Sequence, residues 1–107
     1  MAKKHILVDK TELVLMVEQN NKFAVVNLTN EQISRIQIDT FKERRLFRQD
    51  DSEKISIFSR KSIEPYVFKK RKESAYWDEY KQKLTKFAQD NYLTFADNTA
   101  ADSPASE

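Results

Sequence analysis

The chain has 107 residues and a formal net charge of +2, and 39% of its residues are hydrophobic while 34% are charged. This length fits one domain with a modest core and little room for a deep active-site cleft. Cysteine and glycine are both absent, which excludes disulfides, thiolate chemistry and the glycine-dependent loops that cradle nucleotide phosphates. One histidine, His5, cannot assemble a zinc site, so we expect no metal and no cofactor.

No apolar run approaches the roughly 18 residues that cross a membrane, and the apolar residues 6–8 are followed at once by Asp9 and Lys10. The chain therefore lacks the longer apolar region typical of a signal peptide. We expect no transmembrane segment and a cytoplasmic location, with which the absence of cysteine agrees.

The first predicted unit is a hairpin formed by residues 11–17 and 23–28, which alternate as β-strands do. Val14 and Met16 make the second face of its first strand apolar too, so both faces are expected to be partly covered. The turn between the strands contains Asn21, a residue type that tolerates left-handed backbone angles.

Further apolar segments continue the strand pattern toward the middle of the chain. Ile36 and Ile38 alternate with polar neighbours, which indicates a half-buried strand. Residues 50–52 (DDS) are predicted to form a turn, and Pro65 places the next strand just after it or at a sheet edge. The strands predicted in this region cover residues 33–41, 43–48, 54–58 and 66–68.

Residues 74–95 carry the only convincing helical pattern. Ser74 is the expected N-cap, and Glu79 with Lys83 forms a favourable pair four residues apart. Because the apolar stripe of this helix needs a partner, we expect it to pack against the sheets. The stripe comprises Trp77, Tyr80, Leu84, Phe87 and Ala88.

The resulting fold class is mainly β, with about six strands, or seven if residues 5–9 pair, followed by one C-terminal helix. Residues 96–107 are small and acidic and include Pro104, a composition typical of a disordered tail. We therefore place a single domain at residues 1–95 and a disordered acidic tail at 96–107.

This order of elements resembles the pleckstrin-homology-like (PH-like) superfamily, and residues 33–36 (ISRI), 53–57 (EKISI) and 76–80 (YWDEY) are similar to its small bacterial members. The resemblance implies an antiparallel barrel with a C-terminal helix in one open end, and a scaffold that recognises protein partners without catalysis. Phosphoinositide binding in eukaryotic members depends on a basic first hairpin. Here that hairpin has Lys22 beside Glu18, so no phosphoinositide ligand is expected.

Two basic clusters are the candidate partner-binding residues. The first surrounds a proposed hairpin turn and the second precedes the helix, and both could meet an acidic partner through focused positive potential. The alternative is a charged, solvated edge that protects strands from aggregation. The candidate residues are Lys42, Arg44, Arg45, Arg48, Lys69, Lys70, Arg71 and Lys72.

No catalytic constellation is evident. Asp50, Asp51 and Glu53 form the densest acidic group, but they fall near the predicted turn without a histidine beside them. We therefore expect a non-enzymatic binding or scaffold module for a protein or peptide, with residues 64–68 or 44–48 as the contact. The alternative is a small nucleic-acid-binding β-barrel, in which nearby aromatic rings would stack on bases between the basic clusters.

Overall fold

A computed structural model describes residues 5–19, 21–70 and 74–99 of the chain. The described residues include seven strands and a helix, α1 (Trp77–Asp90), which follows a short 3-10 turn (Ser74–Tyr76). The strands are β1 (His5–Val8), β2 (Glu12–Gln19), β3 (Lys22–Thr29), β4 (Ile33–Arg45), β5 (Arg48–Ser59), β6 (Tyr66–Lys69) and β7 (Thr94–Asp97).

The strands form two sheets. Sheet A has the antiparallel order β1-β2-β3, and sheet B has the order β6-β5-β4-β7. Within sheet B only the pairing of β4 with β7 is parallel. A mainly β fold with two sheets and one α-helix is thus confirmed for the described residues. No described strand pairs from one sheet to the other, so the closed barrel that the resemblance implies is not seen.

The core lies between the inner faces of the two sheets and the apolar stripe of α1. The helix buries the five residues that its periodicity predicts, from Trp77 to Ala88. The strands supply inward-facing aliphatic side chains and Phe68, because alternate positions of a strand point to the same face. The fully buried strand residues are Leu13, Leu15, Leu28, Ile33, Ile36, Ile38, Ile55, Ile57 and Phe68.

A β-bulge at Ser34 sets which isoleucines of β4 face the core. Ile33 pairs with Ser59 and Arg35 with Phe58, so Ser34 is the extra residue of the bulged strand. This shift lets Ile33 be buried together with Ile36, although the two positions differ in parity.

The predicted hairpin of β2 and β3 is confirmed, and Asn21 has the expected left-handed backbone angle, with φ of 64°. The next hairpin differs from its prediction. β4 and β5 pair continuously up to Arg45 and Arg48, so the reversal is a two-residue loop at Leu46 and Phe47. The separate strand predicted at 43–48 is wrong, because residues 43–45 belong to β4 and the next two residues form the loop. The turn predicted at 50–52 is also wrong, because these residues lie inside β5.

The C-terminal end of the described chain is more ordered than the sequence predicts. After α1 the chain forms β7, whose Ala96 and Asp97 pair with Gln37 and Ile38. The boundary predicted between residues 95 and 96 therefore falls within β7. Residues 100–107 of the predicted tail lie outside the described residues.

The ends of α1 are built without the residues that sequence rules favour. Ser74 is not the N-cap, because the 3-10 turn precedes the helix and Tyr76 occupies that position without a side-chain hydrogen bond. At the other end, the amides of Tyr92 and Leu93 donate to the carbonyls of Gln89 and Ala88. This is a Schellman motif, in which the left-handed position is usually glycine, and here it is Tyr92, with φ of 57°.

Replacing Tyr92 with glycine is expected to raise the free energy of unfolding by about 0.5–1 kcal/mol. The left-handed conformation costs a non-glycine residue roughly 1–2 kcal/mol, while glycine loses part of that gain through its greater freedom in the unfolded chain. Tyr92 is almost fully exposed, so little packing is lost. Thermal melts of Tyr92→Gly and Tyr92→Ala check this, since alanine removes the same side chain but keeps the backbone strain. Equal melting temperatures for the two variants would contradict the assignment.

No helix within the described parts of the chain is long and apolar enough to cross a membrane.

Candidate functional site

Asp51 and Glu53 of β5 are engaged in structural contacts. Asp51 Oδ1 lies 2.6 Å from Lys42 Nζ across the β4–β5 ladder. Glu53 Oε1 accepts a hydrogen bond from Trp77 Nε1 at 2.8 Å and lies 3.5 Å from Lys81 Nζ. The carboxylate of Glu53 therefore anchors α1 to sheet B. Among the described residues, no group of three or more His, Cys, Asp or Glu side chains is placed to hold a metal ion.

A shallow cleft of about 280 Å³ lies between the β1–β2 connection and α1. Its charged walls are partly neutralised, since Lys86 Nζ lies 3.1 Å from Asp90 Oδ2 and Lys83 Nζ lies 2.7 Å from Glu79 Oε2. The ion pair between Glu79 and Lys83 confirms the pair predicted from their spacing of four residues in the helix. The lining contains no hydroxyl or imidazole group that would act as a nucleophile or base, and consists of Val8, Asp9, Lys10, Lys83, Lys86, Phe87 and Asp90.

Three residues of the first basic cluster lie beside the loop that ends the β4–β5 hairpin, and Lys42 lies four residue pairs further back. The loop is at Leu46 and Phe47 and not between residues 41 and 43, where the predicted strands place it. We call Arg44, Arg45, Leu46, Phe47 and Arg48 the hairpin tip. Leu46 and Phe47 form its loop and are 92% and 97% exposed. The loop thus exposes two apolar side chains that three arginines flank in sequence.

The second basic cluster meets the base of the same hairpin through one of its members. Lys69 Nζ lies 5.6 Å from the ring centre of Phe41, and Lys54 Nζ lies 5.7 Å from it. Such cation–π contacts add a modest attraction at exposed sites. Phe41 and Lys42 are consecutive residues of β4 and therefore point to opposite faces of the sheet, so this contact places Lys69 near the base of the hairpin but does not join it to the first cluster. Lys70 is exposed, and the predicted site residues Arg71 and Lys72 lie outside the described residues.

Sheet A carries a second candidate surface, which we call the β3 surface. It consists of the outer edge of β3, with which no described strand pairs, together with the outward residues Met16, Phe23 and Val25. Phe23 and Val25 are 47% and 65% exposed, and Val25 is opposite Met16 in the ladder. On the same outer face, Leu7 is exposed beside Val14. In the sequence, this surface is indicated by the apolar residues Val14 and Met16, which predict that the second face of β2 is partly buried.

Comparison of the chain with protein-family models, with curated proteins and with solved structures gave no match. The resemblance to PH-like domains therefore stays a prediction.

Proposed function

We propose that this protein is a non-enzymatic binding module that recognises a protein segment in an extended conformation by pairing it with β3. The observation that carries this proposal is the position of β3. It is the outer strand of sheet A, it is eight residues long, and none of the described strands pairs with its outer edge. An edge of this kind presents alternate backbone N–H and C=O groups to an incoming strand.

The edge of β3 has few of the features that usually prevent strand addition. Natural edges are kept short or carry charges and proline, whereas β3 has its one charged residue, Lys22, at its first position, and residues 23–28 (FAVVNL) contain no charge and no proline. The edge strand β6, which lies in the alternative contact region at 64–68, is different. It has four residues, begins directly after Pro65 and ends at Lys69. The contrast between the two edges favours β3 as the binding edge.

The outward side chains of β3 supply contacts beyond the backbone. In strand addition, main-chain hydrogen bonds give affinity, while alternate side chains give specificity. Phe23 and Val25 point outward on β3, with Met16 across the ladder from Val25. A partner strand with apolar side chains at alternate positions would place them beside Phe23 and Val25 on this outer face.

We further propose that the domain is PH-like in type. In support, two antiparallel meanders precede a helix whose stripe, including Trp77, fills the core. β7 departs from the expected order, because it follows the helix and pairs in parallel with β4. The proposed mode of binding does not depend on this assignment.

Photo-crosslinking tests the β3 surface. A benzophenone amino acid replaces Phe23 in the full-length protein expressed in its own cells, and a second variant carries the same probe at Ile63. Ile63 is exposed and lies in the β5–β6 connection, away from sheet A. We expect one or a few discrete crosslinked proteins from position 23 and none of these from position 63.

The substitution Val25→Lys supplies the matching loss of function. A lysine at this outward position guards the edge in the way that natural edge strands do, and Val25 is exposed enough that folding should not change. The crosslinks from position 23 should therefore disappear while the melting temperature stays the same. Crosslinks that persist in the Val25→Lys protein, or none from position 23 in the parent, would overturn the proposal. A crosslinked species of twice the chain mass would identify a second copy as the partner.

A further inference from the structure

The β4–β5 hairpin extends beyond the body of the protein as a two-stranded ribbon. Past the pair of Phe41 and Ser52, the two strands continue for four residue pairs before the loop. At about 3.4 Å per residue, this length corresponds to roughly 14 Å. The side chains described along it, those of Lys42, Arg44, Gln49 and Asp51, are exposed. The ribbon therefore adds none of these side chains to the core.

The loop at the end of the ribbon breaks the usual turn chemistry. Two-residue hairpin loops favour Asn, Asp and Gly, because one or both central residues need positive φ. Here Leu46 takes that conformation, with φ of 30°, and Phe47 follows. Both side chains are more than nine-tenths exposed, so packing in this chain gives no reason for them. A local rule broken without structural gain is typical of a functional position.

Charges are arranged in layers behind this apolar loop. Arg44, Arg45 and Arg48 lie within two residues of it in sequence. The nearest acidic residues are one pair further back, where Glu43 is opposite Asp50. Behind them, Asp51 is already neutralised by Lys42 at 2.6 Å. From the loop backward, the residue types along the two paired strands are thus apolar, then mostly basic, and acidic only at positions 43, 50 and 51.

We propose that the hairpin tip binds the surface of an anionic lipid bilayer, with Leu46 and Phe47 inserted at the headgroup boundary and the three arginines at the lipid phosphates. Apolar side chains combined with basic ones give this kind of interfacial binding. Each Lys or Arg near an anionic surface adds to the attraction. Arginine suits the position because its apolar stem can lie among headgroups while the guanidinium contacts phosphate.

The acidic layer favours a bilayer over a nucleic acid. A ribbon lying in a DNA groove would bring phosphates along both of its strands, and positions 43 and 50 of those strands are acidic residue types, which phosphate repels. A bilayer touches only the end of the ribbon, where the arginines are. Because this contact depends on summed charge and not on a shaped headgroup pocket, phosphatidylglycerol and phosphatidylserine should serve equally. This proposal is independent of the β3 surface, which lies on the other sheet.

Tryptophan fluorescence of the full-length Phe47→Trp protein reports insertion directly. The native Trp77 is buried and gives a constant background. Adding vesicles of phosphatidylcholine with about 30% phosphatidylglycerol, at low salt where surface charge is little screened, should shift the emission to the blue. Brominated lipids should quench it. Vesicles of phosphatidylcholine alone should have no effect, and Ile63→Trp is the matched control that should not respond to either.

Two sets of variants separate the apolar and the cationic contributions in cosedimentation with the same vesicles. The double variant Leu46→Asn, Phe47→Gly replaces the apolar loop with the turn that hairpins prefer, so it should fold as well as the parent and bind at least about tenfold more weakly. Replacing the three arginines of the tip with glutamine should reduce binding by a similar factor. The control changes the exposed residues Lys10, Lys22 and Lys61 to glutamine, which lowers the net charge equally at other places.

Several results would overturn this inference. They are the absence of binding to anionic vesicles, equal binding by the Asn-Gly variant, and equal weakening by the lysine control. Binding only to vesicles that contain a phosphoinositide, and not to phosphatidylglycerol vesicles of the same surface charge, would overturn it as well. Binding of the Phe47→Trp protein to single-stranded or duplex oligonucleotides, without a response to vesicles, would assign the tip to a nucleic acid instead. Crosslinking from position 23 should be unchanged in the Asn-Gly variant, so this test and that of the β3 surface fail separately.

Discussion

Replacing Trp77 with alanine is expected to lower the free energy of unfolding by about 3–5 kcal/mol, the usual cost of truncating a large buried side chain. Trp77 is 1% exposed and is the largest fully buried side chain described. It is the first residue of α1 and also links the helix to β5, since its indole N–H donates a hydrogen bond to Glu53 Oε1 at 2.8 Å. The variant loses both the packed ring and this hydrogen bond, and the Glu53 carboxylate then keeps Lys81 as its nearby cation.

Urea unfolding followed by circular dichroism measures this effect. Tyr76→Ala is the matched control, because Tyr76 is the preceding residue, is about half exposed and stacks on Tyr80 with ring centres 6.1 Å apart. Such a pair contributes roughly 0.5–1.5 kcal/mol, so the control should lose much less than Trp77→Ala. Trp77→Phe should lie between them, since it keeps an aromatic ring but cannot donate to Glu53. If Trp77→Ala and Tyr76→Ala destabilise the protein equally, the packing of α1 described here is wrong.

The parts of the fold that could be predicted from sequence are those that depend on local periodicity. The stripe of α1 follows from the 3.6-residue repeat, and Ile36, Ile38, Ile55 and Ile57 follow from alternation in strands. Pro65 gives the start and edge position of β6 because proline has no amide to donate. These features need no knowledge of which strands are neighbours.

Features set by tertiary pairing could not be predicted in the same way. Residues 50–52 have the composition of a turn, but their pairing with β4 keeps them extended, while the reversal occurs at Leu46, which no turn rule selects. The bulge at Ser34 changes the inward phase within β4. The parallel pairing of β7 with β4 joins segments far apart in sequence, which neither composition nor periodicity encodes.

The candidate surfaces also combine features that can be predicted from sequence with features that depend on the tertiary structure. The arginines of the hairpin tip are visible in the sequence, because charge clusters need no tertiary information. Large aromatic side chains are usually buried, so the sequence alone does not indicate that Phe47 is exposed. Its exposure follows from its place in the two-residue loop. The free edge of β3 follows from strand order alone. A sequence can therefore reveal a basic cluster, but not which apolar residues stand beside it in solvent.

Ending the chain at Phe95 is expected to cost about 2–3 kcal/mol, whereas ending it at Thr99 should cost almost nothing. The shorter chain loses half of β7, including the pairs of Ala96 with Gln37 and Asp97 with Ile38. It also loses the hydrogen bond from the Asn98 amide to the Ile38 carbonyl at 2.8 Å and that from Lys81 Nζ to Thr99 Oγ1 at 3.2 Å. Net contributions of about 1 kcal/mol for each hydrogen bond give the expected total.

The matched truncation at Thr99 keeps every one of these contacts, so the difference between the two variants isolates residues 96–99. For a domain of this size, each kcal/mol corresponds to a change of about 4–8 °C in melting temperature. The chain ending at Phe95 should therefore melt at least about 8 °C below the chain ending at Thr99. Identical melts would mean that β7 adds nothing to stability and that the domain ends at Phe95, where its sequence composition places the boundary. A large drop confined to the shorter chain would instead show that β7 closes the β4 edge of sheet B as part of the folded domain.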